Sequence, residues 1–125
     1  MRLLLDTHVL LWYLGEHSRL DRKTHALVDR SEAWVSAVSI WEVAIKASAG
    51  KLKADPDRML DALEPTGLSL LQVTGAHAAR VFSLGPLHGD PFDRLLVAQA
   101  QAEGLVLLTY DKALAGYGSC VRLVD

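Results

Sequence analysis

Acidic residues at the ends of short apolar runs are the first feature of this sequence that could do chemistry. Asp6 follows the run RLLL, and Asp111 follows LVLLTY. Such runs are typical of strands buried in a parallel sheet. The carboxyl ends of parallel strands share one edge of the sheet, where ligands bind. Glu42 lies near the start of the helix after a second predicted strand, within one turn of the same edge. The three carboxylates are therefore predicted to lie close together.

A fourth acid lies in the stretch HGDPFDRLLVAQA, residues 88–100. Asp90 precedes Pro91, and proline is favoured at the first position of a helix, so Asp90 is predicted to cap that helix. Asp93 then falls in the first turn, where a carboxylate also stabilises the helix dipole. If the strand that follows (105–111) is parallel to the first strand, this helix starts at the same edge as Asp6. Asp93 would then join the acidic group.

Four carboxylates gathered at one place repel each other unless something neutralises them. Two charges 4 Å apart cost about 4 kcal/mol at an effective dielectric constant of 20. Such groups persist when they share protons or bind a hard cation. Ligands that are all oxygen favour Mg²⁺ or Mn²⁺ over zinc. Such an ion lowers the pKa of a bound water and stabilises charge that develops at phosphorus. The predicted chemistry is hydrolysis of a phosphodiester by metal-activated water, without a covalent intermediate.

Each acid also has a purely structural interpretation. Asp6 could cap the next helix, although Thr7 could do so instead. Glu42 could pair with Lys46 at i,i+4 on an exposed helix face, which is worth about 0.2–0.5 kcal/mol. Asp111 could cap the segment that follows it. Independent caps do not explain why all these acids fall at one edge of one sheet, so the shared site is the favoured interpretation.

Strands and helices alternate along the chain and must position these acids. Strands are predicted at 2–6, from 33 within the run 33–40, and at 68–73, 105–111 and 120–125. Helices are predicted at 7–15, 18–30 with Ser18 as the N-cap, 41–50 with Ser39 as the N-cap, from Asp55-Pro56 onward, and at 75–84 and 91–104. This alternation predicts a parallel α/β sheet with helices on both faces.

Composition bounds the class of protein. The chain has 125 residues, of which 50% are hydrophobic and 22% are charged, which predicts one folded domain. The net charge of −2 gives no compositional sign of nucleic-acid binding.

A single cysteine, Cys120, allows no internal disulfide, as is typical of a reducing cytosol. Asp6 and His8 interrupt the apolar N-terminal run, and no run approaches the roughly 18 residues of a membrane span. The protein is predicted to be cytoplasmic.

Four stretches together resemble the PIN-domain family, specifically VapC-type toxin ribonucleases of bacterial toxin–antitoxin pairs. They are LLLDTHVLLW (3–12), SAVSIWEVAIK (36–46), HGDPFDRLLVAQA (88–100) and LLTYDKAL (107–114). They occur in the family's order and cover nearly the whole chain. The resemblance implies a single PIN domain over residues 1–125. It also implies a three-layer α/β/α fold with a parallel sheet of about five strands.

The resemblance also implies a set of site residues. In the family, the acids that match Asp6, Glu42, Asp93 and Asp111 hold one or two Mg²⁺ or Mn²⁺ ions, and Asp6 and Asp93 match the principal ligands. Thr109, in the sequence TYD, is expected to orient a water or a phosphate. Further supporting residues are expected to be Thr7, Asp90, Arg94 and Lys46. Of these, Arg94 and Lys46 could contact phosphate or hold a carboxylate.

The resemblance further implies an RNA substrate such as tRNA or ribosomal RNA, homodimers, and a small antitoxin whose tail lies along the toxin. Trp12, Tyr13 and Trp41 could line a groove for that tail or pack in the core. The five histidines show no metal-ligand spacing. Only His8 and His88 fall near the predicted site.

Two other functions compete with the nuclease. One is a PIN domain without catalysis that binds RNA or a protein, although all four acids are present. The other is a phosphatase with an aspartyl nucleophile. Such phosphatases usually carry a second acid two residues after the aspartate that ends the strand, and here His8 occupies that position.

Overall fold

A five-stranded parallel sheet forms the centre of the molecule. The computed structural model describes residues 1–15, 19–86 and 89–124. The strands are β1 (Arg2–Leu5), β2 (Glu32–Ser36), β3 (Ser69–Leu71), β4 (Val106–Thr109) and β5 (Val121–Leu123). Their order is β3-β2-β1-β4-β5, and every neighbouring pair is parallel. The predicted parallel sheet is confirmed, and its strands are shorter than predicted.

Helices connect the strands. They are α1 (Thr7–Leu14), α2 (Arg22–Asp29), α3 (Ala37–Ser48), α4 (Pro56–Leu63), α5 (Gly75–Arg80) and α6 (Pro91–Glu103), with 3₁₀ turns at Val81–Leu84 and Lys112–Tyr117. None of the helices in the described ranges is long and apolar enough to span a bilayer.

The two faces of the sheet bury separate apolar cores, because successive side chains of a strand point to opposite faces. Leu3 and Leu5 of β1 pack on one face with Val9 of α1. Leu4 packs on the other face with Leu96 of α6. Burial on both faces explains why RLLL is apolar without alternation. The expected three-layer α/β/α fold is confirmed.

The predicted start of the third helix is wrong. The helix α3 begins at Ala37 instead of Trp41, and the Ser36 hydroxyl accepts a hydrogen bond from the Val38 N–H at 3.0 Å. Ser39 is therefore not the cap but a buried residue of the first turn. The run 33–40 is apolar throughout, and such a run does not show where a strand ends and a helix begins.

The second helix also begins later than predicted. Asp21 is its N-cap and accepts a hydrogen bond from the Thr24 N–H at 2.8 Å. The predicted cap, Ser18, lies outside the described residues. The predicted helix at 75–84 is α-helical only to Arg80 and then tightens into a 3₁₀ turn.

The strand order creates a switch point beside β1. The chain leaves β1 towards β2 on one side and returns to β4 on the other, and ligands of open α/β sheets bind at such a reversal. The Asp6 N–H donates to the Leu108 carbonyl at 3.0 Å, which holds the ends of β1 and β4 together. Because β4 is parallel to β1, α6 runs antiparallel to the sheet and begins at this edge, as predicted.

Candidate active site at the switch point of the sheet

A cleft of about 420 Å³ opens at the carboxyl edge of the sheet, and acidic side chains line it. All four acids predicted from the sequence are among the lining residues: Asp6, Glu42, Asp93 and Asp111. Asp90 and Lys46 line the same cleft. The structure therefore brings together carboxylates that are far apart in the chain, from Asp6 to Asp111.

Asp6 is both a helix cap and a member of the cleft. Its side chain is 6% exposed and accepts hydrogen bonds from the Thr7 N–H, at 2.7 Å, and from the Thr109 hydroxyl. The alternative in which Thr7 caps the helix is wrong, because Thr7 is the first helical residue. Burial raises the pKa of Asp6, the two hydrogen bonds oppose that rise, and the charge of Glu42 adds to it. The Asp6 carboxylate is thus held in place at a cost in solvation.

Thr109 links the two acids at the ends of β1 and β4. Its side chain is fully buried; its hydroxyl donates to Asp6 and accepts from the Asp111 N–H at 3.0 Å. Asp111 is half-buried and accepts from the Ala113 N–H at 2.9 Å. It therefore caps the 3₁₀ turn, as its structural interpretation predicted, while also lining the cleft.

Glu42 is buried, which corrects the expectation of an exposed helix face. It does pair with Lys46, at 2.6 Å, but Glu42 itself is only 5% exposed. Its other oxygen accepts from the Thr7 hydroxyl at 2.7 Å, and the Ser39 hydroxyl lies 2.9 Å from that of Thr7. A hydroxyl carries one proton, so Thr7 donates to Glu42 and accepts from Ser39.

Ser39 is a site residue that the sequence interpretation missed, because it was assigned to the helix cap. The signal was present: Ser39 and Glu42 are three residues apart, so they share one face of α3. Ser39 is fully buried beside Thr7, and the two hydroxyls form a hydrogen-bond chain that ends on the Glu42 carboxylate.

Lys46 is a cation that contacts one of the acids of the cleft, through its ion pair with Glu42. Its hydrogen bond with Glu42 raises the pKa of the ammonium, and the charges of Asp90 and Asp93 raise it further. Lys46 is therefore protonated at neutral pH and offsets part of the negative charge of the cleft.

The start of α6 places Asp93. The Asp90 side chain accepts from the N–H groups of Phe92, at 2.8 Å, and of Asp93, at 3.2 Å, with Pro91 at the first helical position. The predicted cap is confirmed. Because this cap fixes the first turn of the helix, it also fixes the backbone from which the half-buried Asp93 side chain extends.

Arg94, predicted as a supporting residue, is not among the residues that line the cleft. Its guanidinium donates to the carbonyls of Gly85, at 2.6 Å, and Val81, at 3.2 Å. It lines a separate, mostly apolar cavity together with Trp41 and Phe92. The structure shows Arg94 tying the 3₁₀ turn to α6.

The donor set of the cleft fits a hard divalent cation, because its carboxylate oxygens are the ligands that Mg²⁺ and Mn²⁺ prefer. Within the described part of the chain, however, no three His, Cys, Asp or Glu side chains are placed so that they could hold one ion together. Asp6 and Glu42 are instead turned towards Thr109, Thr7 and Lys46.

A further part of the cleft consists of His8, Trp12, Arg19 and Tyr110. Of these, Arg19 and Tyr110 were not predicted as site residues. The signal for Tyr110 was its position between Thr109 and Asp111, whereas Arg19 lies in a predicted helix, 18–30, away from the acidic stretches. His8 was expected near the site, and His88 lies outside the described residues. The three aromatic residues that could line a groove for the antitoxin tail lie in different places. Trp12 lines the cleft. Trp41 is 58% exposed beside Phe92, and Tyr13 is buried in the core.

Comparison with known proteins identifies the family. The PIN-domain model matches residues 3–118. Ribonuclease VapC22 of Mycobacterium tuberculosis (strain ATCC 25618 / H37Rv) is 31% identical over an alignment of 119 residues, and the match covers 91% of this chain and 90% of the relative.

Solved structures share the fold. One such structure is VapBC2 from Rickettsia felis bound to a DNA fragment from its promoter. A chain of it superposes with a TM-score of 0.71 at 18% identity, covering 99% of this chain and 98% of that one. A chain of a toxin–antitoxin complex from Klebsiella pneumoniae has a TM-score of 0.67 at 21% identity, with 96% and 95% covered. A chain of DNA-bound VapBC from Salmonella typhimurium has a TM-score of 0.68 at 20% identity, with 100% and 98% covered.

The matched model, the similar relative and the shared fold agree with the resemblance seen in the sequence. The chain belongs to the PIN-domain family, and within that family it is of the VapC type.

Proposed function

We propose that this protein is a Mg²⁺- or Mn²⁺-dependent endoribonuclease and the toxin of a VapBC-type toxin–antitoxin pair. The observation that carries this proposal is the convergence of four carboxylates on one cleft at the switch point of the sheet. Similarity to a relative named as a ribonuclease supports RNA as the substrate. The active unit is one PIN domain over residues 1–125.

The proposed ligands are Asp6 and Asp93 as the principal pair, with Glu42 and Asp111 completing the site. A bound divalent ion would neutralise the carboxylates and supply the Lewis acidity that phosphodiester hydrolysis by water requires. Without a cation, the acids would repel an RNA phosphate.

The remaining residues hold these carboxylates and favour the anionic substrate. Thr109 holds Asp6, and the hydroxyl chain of Ser39 and Thr7 holds one oxygen of Glu42. Lys46 is half-buried with its ammonium at the cleft. It is placed to contact a phosphate oxygen once Glu42 turns towards an ion. Asp90 acts through Asp93 by fixing the start of α6.

The test is cleavage of total tRNA and ribosomal RNA by purified protein, with and without Mn²⁺ or Mg²⁺. We expect discrete cuts that require the ion and that disappear in Asp93→Asn. Asp61→Asn is the matched control, because Asp61 is an exposed acid on α4 outside the residues that line the cleft. Equal cleavage by the parent and Asp93→Asn would refute the site assignment.

A PIN domain that binds RNA or a protein without cutting is the second candidate. The observation that favours it is the engagement of Asp6 and Glu42 by the hydroxyls of Thr109 and Thr7 and by Lys46. In the same assay, this alternative predicts RNA that is bound and recovered intact at every ion concentration.

We further propose a small antitoxin partner, a homodimer and a cytoplasmic location. The chain of similar fold from Klebsiella pneumoniae belongs to a toxin–antitoxin complex, which supports such a partner. Trp41 and Phe82 are 58% and 95% exposed, and large exposed aromatics are typical of protein interfaces. Light scattering of the purified chain, alone and with its co-expressed partner, would give both stoichiometries.

A further inference from the structure

We infer that His8, Trp12, Arg19 and Tyr110, called here the aromatic wall, bind an unstacked nucleobase and its phosphate from single-stranded RNA, next to the bond that is cut. This inference rests on the proposed function, which supplies RNA as the ligand. It adds a substrate subsite that is built from residues other than the acids.

The aromatic wall adjoins the acids in the chain as well as in the cleft. His8 and Trp12 are four residues apart, so they share one face of α1, and α1 begins directly after Asp6. Tyr110 lies between Thr109 and Asp111, at the end of β4. All four wall residues line the same cleft as the carboxylates. A nucleotide that contacts the wall therefore places its neighbouring phosphate beside the acids.

Trp12 is the centre of the wall. The Tyr110 ring meets it edge-on, with ring centres 4.2 Å apart and an angle of 75° between the planes. The His8 ring is tilted by 50° at a centre distance of 5.9 Å. Trp12 is half-buried: it packs against the core beneath the cleft and also lines the cleft. These contacts restrict the indole before any ligand arrives.

Arg19 adds a positive charge at this surface. Its guanidinium carbon lies 5.7 Å from the centre of a Trp12 ring, within the range of cation–π attraction. The Tyr110 hydroxyl donates to the Arg19 carbonyl at 2.7 Å, which fixes the backbone at this point.

The chemistry of the wall matches a nucleotide better than it matches a role in packing alone. Packing explains why Trp12 and Tyr110 touch the core, but His8 and Arg19 are exposed. Aromatic faces beside an arginine are a common way to bind the base and phosphate of single-stranded nucleic acid, and each stacked base contributes about 1–3 kcal/mol. Bases in a duplex are already stacked on each other, so the wall should favour single strands, loops and bulges.

The test is binding of a short fluorescein-labelled single-stranded RNA, measured by fluorescence anisotropy in the Asp93→Asn background so that the RNA stays intact, with Mn²⁺ raised until it saturates the weakened ion site. Trp12→Leu keeps an apolar side chain against the core but removes the aromatic face. We expect it to weaken binding by about 5- to 150-fold, the range that corresponds to one stacked base. Trp12→Phe should retain most of the affinity. Trp34→Leu is the matched control, because Trp34 is also a half-buried tryptophan but is not among the residues that line the cleft, and it should bind like the parent.

Two further measurements sharpen this test. Arg19→Gln should weaken binding and flatten its dependence on salt, since it removes one phosphate contact. The same RNA annealed to its complement should bind more weakly than the single strand and should show little sensitivity to Trp12→Leu.

The inference is overturned if Trp12→Leu binds single-stranded RNA as tightly as the Asp93→Asn parent, or if that parent does not bind it at all. It is also overturned if Trp12→Leu weakens only the binding of a short basic peptide, because the wall would then serve a protein partner. The proposed function fails separately. If RNA binding depends on Trp12 but the wild-type protein never cuts RNA, the proposed subsite stands and the proposed nuclease function is refuted.

Discussion

The four acids of the cleft form two unlike pairs. Asp6 and Glu42 are almost fully buried, and buried hydroxyls hold them. Asp93 and Asp111 are half-buried and follow a helix cap or a strand end. The first pair is positioned by the core of the molecule, and the second pair by local turns that leave the carboxylates open to solvent.

This difference indicates how the site balances rigidity and access. A buried carboxylate is costly to desolvate, but its position is well defined. A half-buried carboxylate costs less and remains accessible to an ion or a substrate. The following predictions test this division, beginning with the largest expected effect.

Asp6→Asn and Asp93→Asn should both lower RNA cleavage by more than about 100-fold, beyond the range that outer-shell residues of metal sites usually reach. The reason is that each would remove one oxygen ligand of the proposed principal pair. Initial rates in saturating Mn²⁺ give the comparison, with Asp61→Asn as the control. A loss in only one of the two variants would show that the buried and open acids do not act on one ion.

Thr109→Val should lower cleavage by about 10- to 100-fold, the usual cost of losing a residue that orients a metal ligand. It preserves the shape of the side chain but removes the donor to Asp6 and the acceptor of the Asp111 N–H. The hydrogen bond from Thr109 lowers the pKa of Asp6. Its loss should therefore move the acid limb of the pH–rate profile to higher pH. Thr109→Ser should restore both the rate and the profile; an unshifted profile in Thr109→Val would contradict this role.

Asp90→Ala and Asp55→Ala should each lower the free energy of unfolding by about 1 kcal/mol, the usual cost of losing an N-cap. The two caps match, because each aspartate precedes a proline and accepts from the next two backbone N–H groups. Only Asp90→Ala should also reduce cleavage, since it loosens the turn that carries Asp93. Urea unfolding and cleavage rates separate the two effects. Equal cleavage by both variants would mean that Asp93 does not depend on its cap.

The smallest predicted effect is on the thermal stability of Asp6→Asn, measured in EDTA so that no divalent ion is bound. Because burial raises the folded-state pKa of Asp6 above its ordinary value of 3.8, the folded protein holds this proton more readily than the unfolded chain. The resulting destabilisation is absent below pH 3.8, grows as pH rises through the folded pKa, and is complete above it. Asn caps a helix about as well as Asp.

Asp6→Asn should therefore melt at the same temperature as the parent or higher at neutral pH, and this advantage should shrink on acidification. Asp111→Asn, in the half-buried pair, should show less of this dependence. Thermal melts over a pH series measure the difference. A large drop for Asp6→Asn at neutral pH would mean that its negative charge supports the fold.

The sequence predicts well that the acids lie at one edge of the sheet, because buried parallel strands are apolar throughout and a carboxylate at their end is conspicuous. It predicts the neighbours of the acids less well. Arg94 follows Asp93 in sequence, but successive residues of a helix point about 100° apart, and so Arg94 contacts Val81 and Gly85 instead. The burial of Glu42 depends on how α3 packs against α1, and Tyr110 joins Trp12 only through tertiary contact. No local pattern contains that information.

The central claim is that both pairs of acids act on one divalent ion. Calorimetric titration of Mn²⁺ into the protein tests it most directly, with Asp6→Asn, Asp93→Asn and Asp61→Asn measured in parallel. We expect saturable binding to the parent and to Asp61→Asn, and binding that is strongly weakened in both Asp6→Asn and Asp93→Asn. Undiminished binding in either of those two variants, or no binding to the parent, would contradict it.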